Sequence, residues 1–274
     1  MTYCIGMKTN SGLLFMSDTR TNAGLDNVST FKKMFSWCET DQAFITLLSS
    51  GNLATTQSLV SILDGQSGAI DSDVLPILSQ PSMFNVAQYV GTTLRDVIEG
   101  NKHGGPVADS SFHASVILGG QVKNDIPRIF LIYPEGNFIE VTDENPFFQV
   151  GEIKYGKPIL LRAFDPKMDF SDGLKLMLLS FDSTIKANIS VGLPIDFQIY
   201  EADSFHTGPN GRFHKDDPYL LEISNGWGRA LNVTFDTMPN LSLILVKDKI
   251  KENLNSAKYL GYFSEKYRNF FMNL

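Results

Sequence analysis

Short apolar runs separated by polar turns open the chain. Residues 3–7 and 13–17 flank Lys8-Thr9-Asn10-Ser11-Gly12, a pattern that predicts a β-hairpin whose loop is residues 8–12. With that loop centred on Asn10, Tyr3 faces Ser17 and Thr2 faces Asp18. Residues 33–38 and 43–49 then flank Glu39-Thr40-Asp41-Gln42 and predict a second hairpin, which sets Lys33 near Leu48 and Ser50-Gly51 just past the strand end. Lys32 and Lys33 are adjacent, so only one of them can point inward. Helical spacing follows, with Leu53, Leu59, Val60 and Leu63 on one side of residues 53–63, and Val86, Val90, Leu94, Val97 and Ile98 within residues 83–98. Strands are expected at 112–118 and 127–133, with a turn at Gly119-Gly120. A third helix is expected from a Ser171-Asp172-Gly173 cap through Leu174, Leu178, Phe181 and Ile185. Strands at 194–201 and 241–246 and a long final helix over about 248–271 complete the pattern. Strand pairs alternating with helix pairs imply an α+β layered domain.

Composition narrows the class. The 274 residues are 43% hydrophobic and 19% charged, which describes a globular chain with a sizeable core. No Pro, Ser or charge-rich linker divides it, so residues 1–274 read as one domain, with 240–274 as a C-terminal helical extension. A net charge of −7 and the lack of a basic cluster argue against a nucleic-acid partner. No apolar run reaches the roughly eighteen residues of a membrane helix. Lys8, Asn10, Asp18 and Arg20 interrupt any signal-peptide core. Two cysteines, Cys4 and Cys38, are too few for a disulfide framework, which fits a cytoplasmic setting. No cofactor, metal or nucleotide motif is recognised, so any unfolding ATPase would be a separate partner.

The candidate chemistry starts at Thr2. A small residue after Met1 permits removal of the methionine, leaving a threonine whose hydroxyl and free α-amine share one residue, nucleophile beside base. The two hairpins bring Asp18, Arg20, Lys33 and Gly51 to neighbouring strand ends. A Lys33 ammonium near Thr2 favours both its alkoxide and its neutral amine. Asp18 would hold Lys33 in place, and the Gly51 N–H could stabilise an oxyanion. Arg20 serves only as a support. Read singly, Asp18 with Arg20 is a strand-end ion pair and Lys33 a solvated residue; jointly, the constellation favours catalysis. His206, His214, Asp203, Asp216 and Asp217 match no metal-ligand spacing and read as a surface loop. Cys4 reads as buried core, Gly24, Gly151 and Gly156 as turn formers, and Phe270-Phe271 as core or subunit contact.

The stretches Thr2-Tyr-Cys-Ile-Gly, Met16-Ser-Asp18-Thr-Arg20, Phe31-Lys-Lys33-Met and Ser49-Ser-Gly51 resemble proteasome β-type subunits. Within these the chain is similar to the bacterial Anbu (ancestral β subunit) group, as residues 17–24, 151–158 and 190–196 also suggest. The resemblance runs to about Tyr200. It implies an N-terminal-nucleophile hydrolase fold, a four-layer αββα sandwich, and a ring or open spiral of identical subunits acting on peptide or amide substrates. It puts the nucleophile on Thr2, its acidic partner on Asp18, the lysine on Lys33 and the oxyanion glycine on Gly51. Of a second cluster supporting the amine, the last serine falls on Ser190. The expected aspartate is Ala187, with Asn188 adjacent, and the earlier serine falls around Gly151-Glu152. That departure leaves room for a catalytically weak or inactive scaffold subunit of the same fold, or for an N-terminal-nucleophile amidase acting on a small or modified amide.

Overall fold

The computed structural model describes residues 2–22, 28–65, 76–102 and 112–240. The first strands, β1 (Tyr3–Thr9) and β2 (Gly12–Asp18), are buried on both faces, which explains their nearly unbroken apolar runs. Tyr3, Ile5, Met7, Leu14 and Met16 join one apolar cluster, while Cys4, Leu13 and Phe15 join another. This is the two-residue alternation of a strand. A short ladder follows, β3 (Arg20–Asn22) with β4 (Val28–Thr30), and then β5 (Met34–Glu39) and β6 (Ala43–Gly51). Helices α1 (Leu53–Leu63) and α2 (Met83–Lys102) come next, then strands β7 (Ala114–Val122), β8 (Arg128–Ile132), β9 (Phe138–Glu140) and β10 (Phe147–Gly151). Helices α3 (Lys157–Ala163) and α4 (Phe170–Ala187) lead into β11 (Ile195–Glu201) and β12 (Asn210–Phe213), followed by α5 (Pro218–Thr237).

Two five-stranded antiparallel sheets result, in the orders β10-β1-β2-β11-β12 and β5-β6-β7-β8-β9. Cys4, Phe15, Phe44, Leu48, Ile117 and Tyr200 belong to a cluster that both sheets share. Ile45, Leu47 and Leu118 pack with Leu59 of α1 and Val90 and Leu94 of α2. Tyr3 and Ile5 pack with Leu160 of α3, Phe181 of α4 and Leu220 at the start of α5. All of this lies in a compact unit that runs to Trp227; a second unit begins at Gly228, and its described part is residues 228–240, helical to Thr237. The expected strand at 241–246, the helix over 248–271, the Phe270-Phe271 pair and Gly24 lie outside the described residues.

Both hairpin registers differ by one residue from the expected pairing. β1 and β2 continue to Thr9 and Gly12, so the turn is Asn10-Ser11 alone and Cys4, not Tyr3, faces Ser17. A two-residue turn is tighter than the expected loop because the strands keep pairing through Thr9 and Gly12. In the second hairpin Asp41 adopts φ 61° and Gln42 N–H donates to the Glu39 carbonyl at 3.0 Å. The turn is therefore Thr40-Asp41-Gln42, and Met34 rather than Lys33 faces Leu48. Gly119-Gly120 is not a turn but the middle of β7, because Phe15 lies over Gly119 and the Phe44 carbonyl over Gly120, leaving no room for a Cβ. Helix α4 starts earlier than expected, where the Asp169 carboxylate accepts from Asp172 N–H at 2.8 Å. Strands β3, β4, β9, β10 and β12 and helices α3 and α5 are additional to the expected elements.

Candidate active site

Thr2 precedes β1 at the end of the first sheet and is 8% exposed. Its carbonyl accepts a 2.7 Å hydrogen bond from Glu152 N–H. Gly151, with φ 88°, passes so close to that carbonyl that any Cβ would overlap it, so this is a position where glycine is required. The next residue, Tyr3, anchors the strand. Its hydroxyl bonds to Ser180 Oγ at 2.6 Å and to Gln149 Nε2, and its ring packs against Phe181 at 4.6 Å between centroids. Burial pushes its phenol up to about 12.

Asp18 ends β2 and is fully buried. Because of the register it pairs toward Tyr3 instead of facing Thr2: one carboxylate oxygen, Oδ1, accepts from Tyr3 N–H at 2.9 Å and from Lys33 Nζ at 2.8 Å. The other, Oδ2, accepts from Gly192 N–H at 3.4 Å. Burial raises the Asp18 carboxyl above its ordinary value, against the pull of Lys33 and the two N–H donors. Lys33 is 5% exposed and its Nζ also donates to the Arg20 carbonyl at 2.5 Å. Its backbone carbonyl accepts from Ser49 N–H at 2.9 Å, tying it to the second sheet. Lys32 is exposed at the rim of the cleft, its ammonium 5.4 Å from the centre of the Phe35 ring.

A cleft of about 260 Å³ opens where the two sheets end, with Thr2 and Gly151 on one side, Ser50 and Gly51 on the other, and Thr21 and Lys33 also in its wall. Thr2, Lys33 and Gly51 thus share one cleft, and Asp18 sits behind Lys33. Gly51 has φ 124°, and a Cβ there would meet the His113 carbonyl. Close approach of the neighbouring strand therefore demands glycine, whatever a substrate needs.

Arg20 forms no ion pair among the described residues. Its guanidinium donates to the Ile189 carbonyl at 2.8 Å and lies against Gly192, so it braces the turn that carries Ser190. There, Ser190 N–H and Oγ both donate to Asn188 Oδ1, at 3.0 and 2.6 Å. Asn188 Nδ2 donates to Glu152 Oε2 at 2.8 Å, and Glu152 is 7% exposed. Ala187 ends α4 and contributes no polar group. Glu152, Gly192 and Tyr3 are site residues the sequence reading did not assign; only the coincidence of Gly151-Glu152 with a family serine hinted at the first. Cys4 is fully buried, and its thiol is pushed up by that burial. His206 and His214 are exposed, and no metal-ligating group of His, Cys, Asp and Glu forms among the described residues.

No protein-family model matches the chain, and no curated protein does. Solved structures do. The chain is similar to Anbu (ancestral β-subunit) from Yersinia bercovieri at 42% identity, covering 88% of this chain and 100% of that one, with a TM-score of 0.82. Anbu from Hyphomicrobium sp. strain MC1 is 43% identical, with 88% of this chain and 100% of that one covered and a TM-score of 0.80. For the helical assembly of the Anbu complex from Pseudomonas aeruginosa the values are 36%, 89%, 99% and 0.81. With the antiparallel sheets and the Thr2 cleft in place, these matches identify the lineage: the chain belongs to the proteasome-related Anbu, or ancestral β-subunit, family.

Proposed function

We propose that the protein is a threonine-type amide hydrolase of the N-terminal-nucleophile class, active once the bond before Thr2 has been cut. The observation that carries this reading is the buried Asp18–Lys33 pair at 2.8 Å beside a cleft that Thr2, Lys33 and Gly51 share. The Thr2 hydroxyl attacks a substrate carbonyl and its proton passes to the Thr2 amine. The amine then protonates the departing amine, and water hydrolyses the resulting ester. Lys33 favours the alkoxide and Asp18 keeps Lys33 aimed. Gly51 supplies the oxyanion contact, and Ser190 with Asn188 supports the amine side. The test is intact mass before and after a peptide β-lactone, which acylates a threonine hydroxyl. The mass should rise by one whole probe in the exposed protein and not at all in Thr2→Ala. Equal labelling or turnover in Thr2→Ala overturns the reading.

The three apolar clusters support a four-layer arrangement, helices on each outer face of two stacked sheets; we further propose a single domain with residues 240–274 as an extension. The Pseudomonas aeruginosa relative is described as a helical assembly, and we infer a ring or open spiral of identical subunits here. Two unpaired cysteines and no described helix long and apolar enough to cross a membrane support a cytoplasmic place. Comparing hydrolysis of small amides with that of long peptides decides between an amidase and a peptidase.

A further inference from the structure

The strand register leads to Glu152. Tyr3 pairs with Gly151, and the 2.7 Å bond from Glu152 N–H to the Thr2 carbonyl carries the ladder one step further. Glu152 therefore lies across from Thr2, just past the end of β10. Glu152 is 7% exposed. One oxygen, Oε2, accepts from Asn188 Nδ2. The amide cannot be turned the other way, because Asn188 Oδ1 already accepts both the N–H and the hydroxyl of Ser190. The other oxygen, Oε1, takes no hydrogen bond, and no cationic side chain pairs with the carboxylate, among the described residues.

Glu152 thus has one oxygen fixed by a neutral amide and one that still reaches solvent, a carboxylate with no cationic partner of its own among the described residues. Lys33 is committed to Asp18 and the Arg20 carbonyl, and Arg20 to Ile189. Cutting the bond before Thr2 creates one new cation, the α-ammonium, on the residue opposite Glu152. We propose that Glu152 is the counter-ion of the freed Thr2 amine, held in place by Asn188 and Ser190. It is a positioning residue: it acts on the reaction through the amine, and it takes the place of the acidic member that Ala187 cannot supply. The proposal rests on Thr2 being the nucleophile only for its consequence on rate; the ion pair itself needs only a free amine.

A carboxylate beside an amine favours the ammonium, so it raises the pH at which the amine becomes a free base. The other charged or titratable groups around Thr2 are Lys33 and Lys32 in the cleft, Asp18 on β2, and Tyr3 and Cys4 on β1; Lys154 and Tyr155 lie on the loop of Glu152 itself. None of these changes in Glu152→Gln, so a difference between the two proteins reports Glu152. The experiment exposes Thr2 with methionine aminopeptidase and follows acetylation of its amine by trace acetic anhydride from pH 5 to 10, read by mass spectrometry of the first peptide. Glu152→Gln should shift the amine titration down by about one pH unit or more. Asn188→Ala should shift it part of the way, and Glu152→Asp should restore most of the wild-type value. A folded Glu152→Gln that titrates with the wild type overturns the proposal, and so does a chain from which nothing before Thr2 can be removed. If the titration shifts as expected but the β-lactone adds no mass to the wild type, the ion pair stands and the hydrolase reading fails.

Discussion

Replacing Lys33 with Met isolates what the buried pair contributes. The substitution keeps most of the side-chain volume and removes the ammonium, leaving the fully buried Asp18 carboxylate with two backbone donors, Tyr3 at 2.9 Å and Gly192 at 3.4 Å. Removing one partner of a buried ion pair costs about 3–5 kcal/mol. The two remaining N–H donors offset part of that, so a loss near the lower end, about 3 kcal/mol, is expected at neutral pH. For a domain of this size each kcal/mol moves Tm by about 2–4 °C. The loss should also depend on pH. The Asp18 carboxyl already titrates above its ordinary 3.8 because of burial, and removing Lys33 raises it further. A raised folded-state value means the folded chain holds the proton over a window where the unfolded chain has released it, so stability falls as pH rises through that value. Urea unfolding of wild type and Lys33→Met should therefore show a larger deficit at pH 7.5 than at pH 5. Adding Asp18→Asn should recover most of the loss, since replacing a whole buried pair is often close to neutral. A deficit below about 1 kcal/mol, or one identical at both pH values, refutes the account of this pair.

Other substitutions probe the frame around it. Arg20→Ala should release the turn at residues 189–192, so hydrogen exchange at Gly192 should quicken while exchange within β6 does not change. Gly151→Ala places a Cβ against the Thr2 carbonyl at φ 88° and should cost about 1–3 kcal/mol or more, read as a lowered urea midpoint. Tyr3→Phe leaves the Ser180 hydroxyl and the Gln149 amide without their shared partner, which should cost about 1–3 kcal/mol by the same measure.

Much of the fold was legible because its elements follow period: α1 begins and ends where the helical spacing does, and the strands buried on both faces read as apolar runs. Register was not legible. It hinges on whether Asn10-Ser11 turns alone and whether Asp41 adopts a left-handed backbone, choices that nothing in the apolar pattern decides. Glycine misled in β7, where Gly119 and Gly120 look like a turn but make room for Phe15 and the Phe44 carbonyl. Helix α5 was hidden because its start follows a polar loop and its residues carry Gly and Asn.

The Asp18–Lys33 pair tolerates the one-residue shift in register for a physical reason. The Asp18 carboxylate sits at a strand end, where it accepts the Tyr3 N–H and still reaches Lys33, so its role does not depend on facing Thr2. Lys33, shifted out of β5, is fixed instead by its carbonyl on Ser49 N–H. The amine-side cluster had no such tolerance. Along the chain Ala187 is a loss only if the carboxylate has to stand at one fixed spacing from Ser190. In space a carboxylate is present, but it comes from Glu152, just past the end of β10, and Asn188 bridges the gap. A substitution that seems to disable the cluster in one segment is thus matched by an acid from another, and only the strand register beside Thr2 reveals that the two belong together.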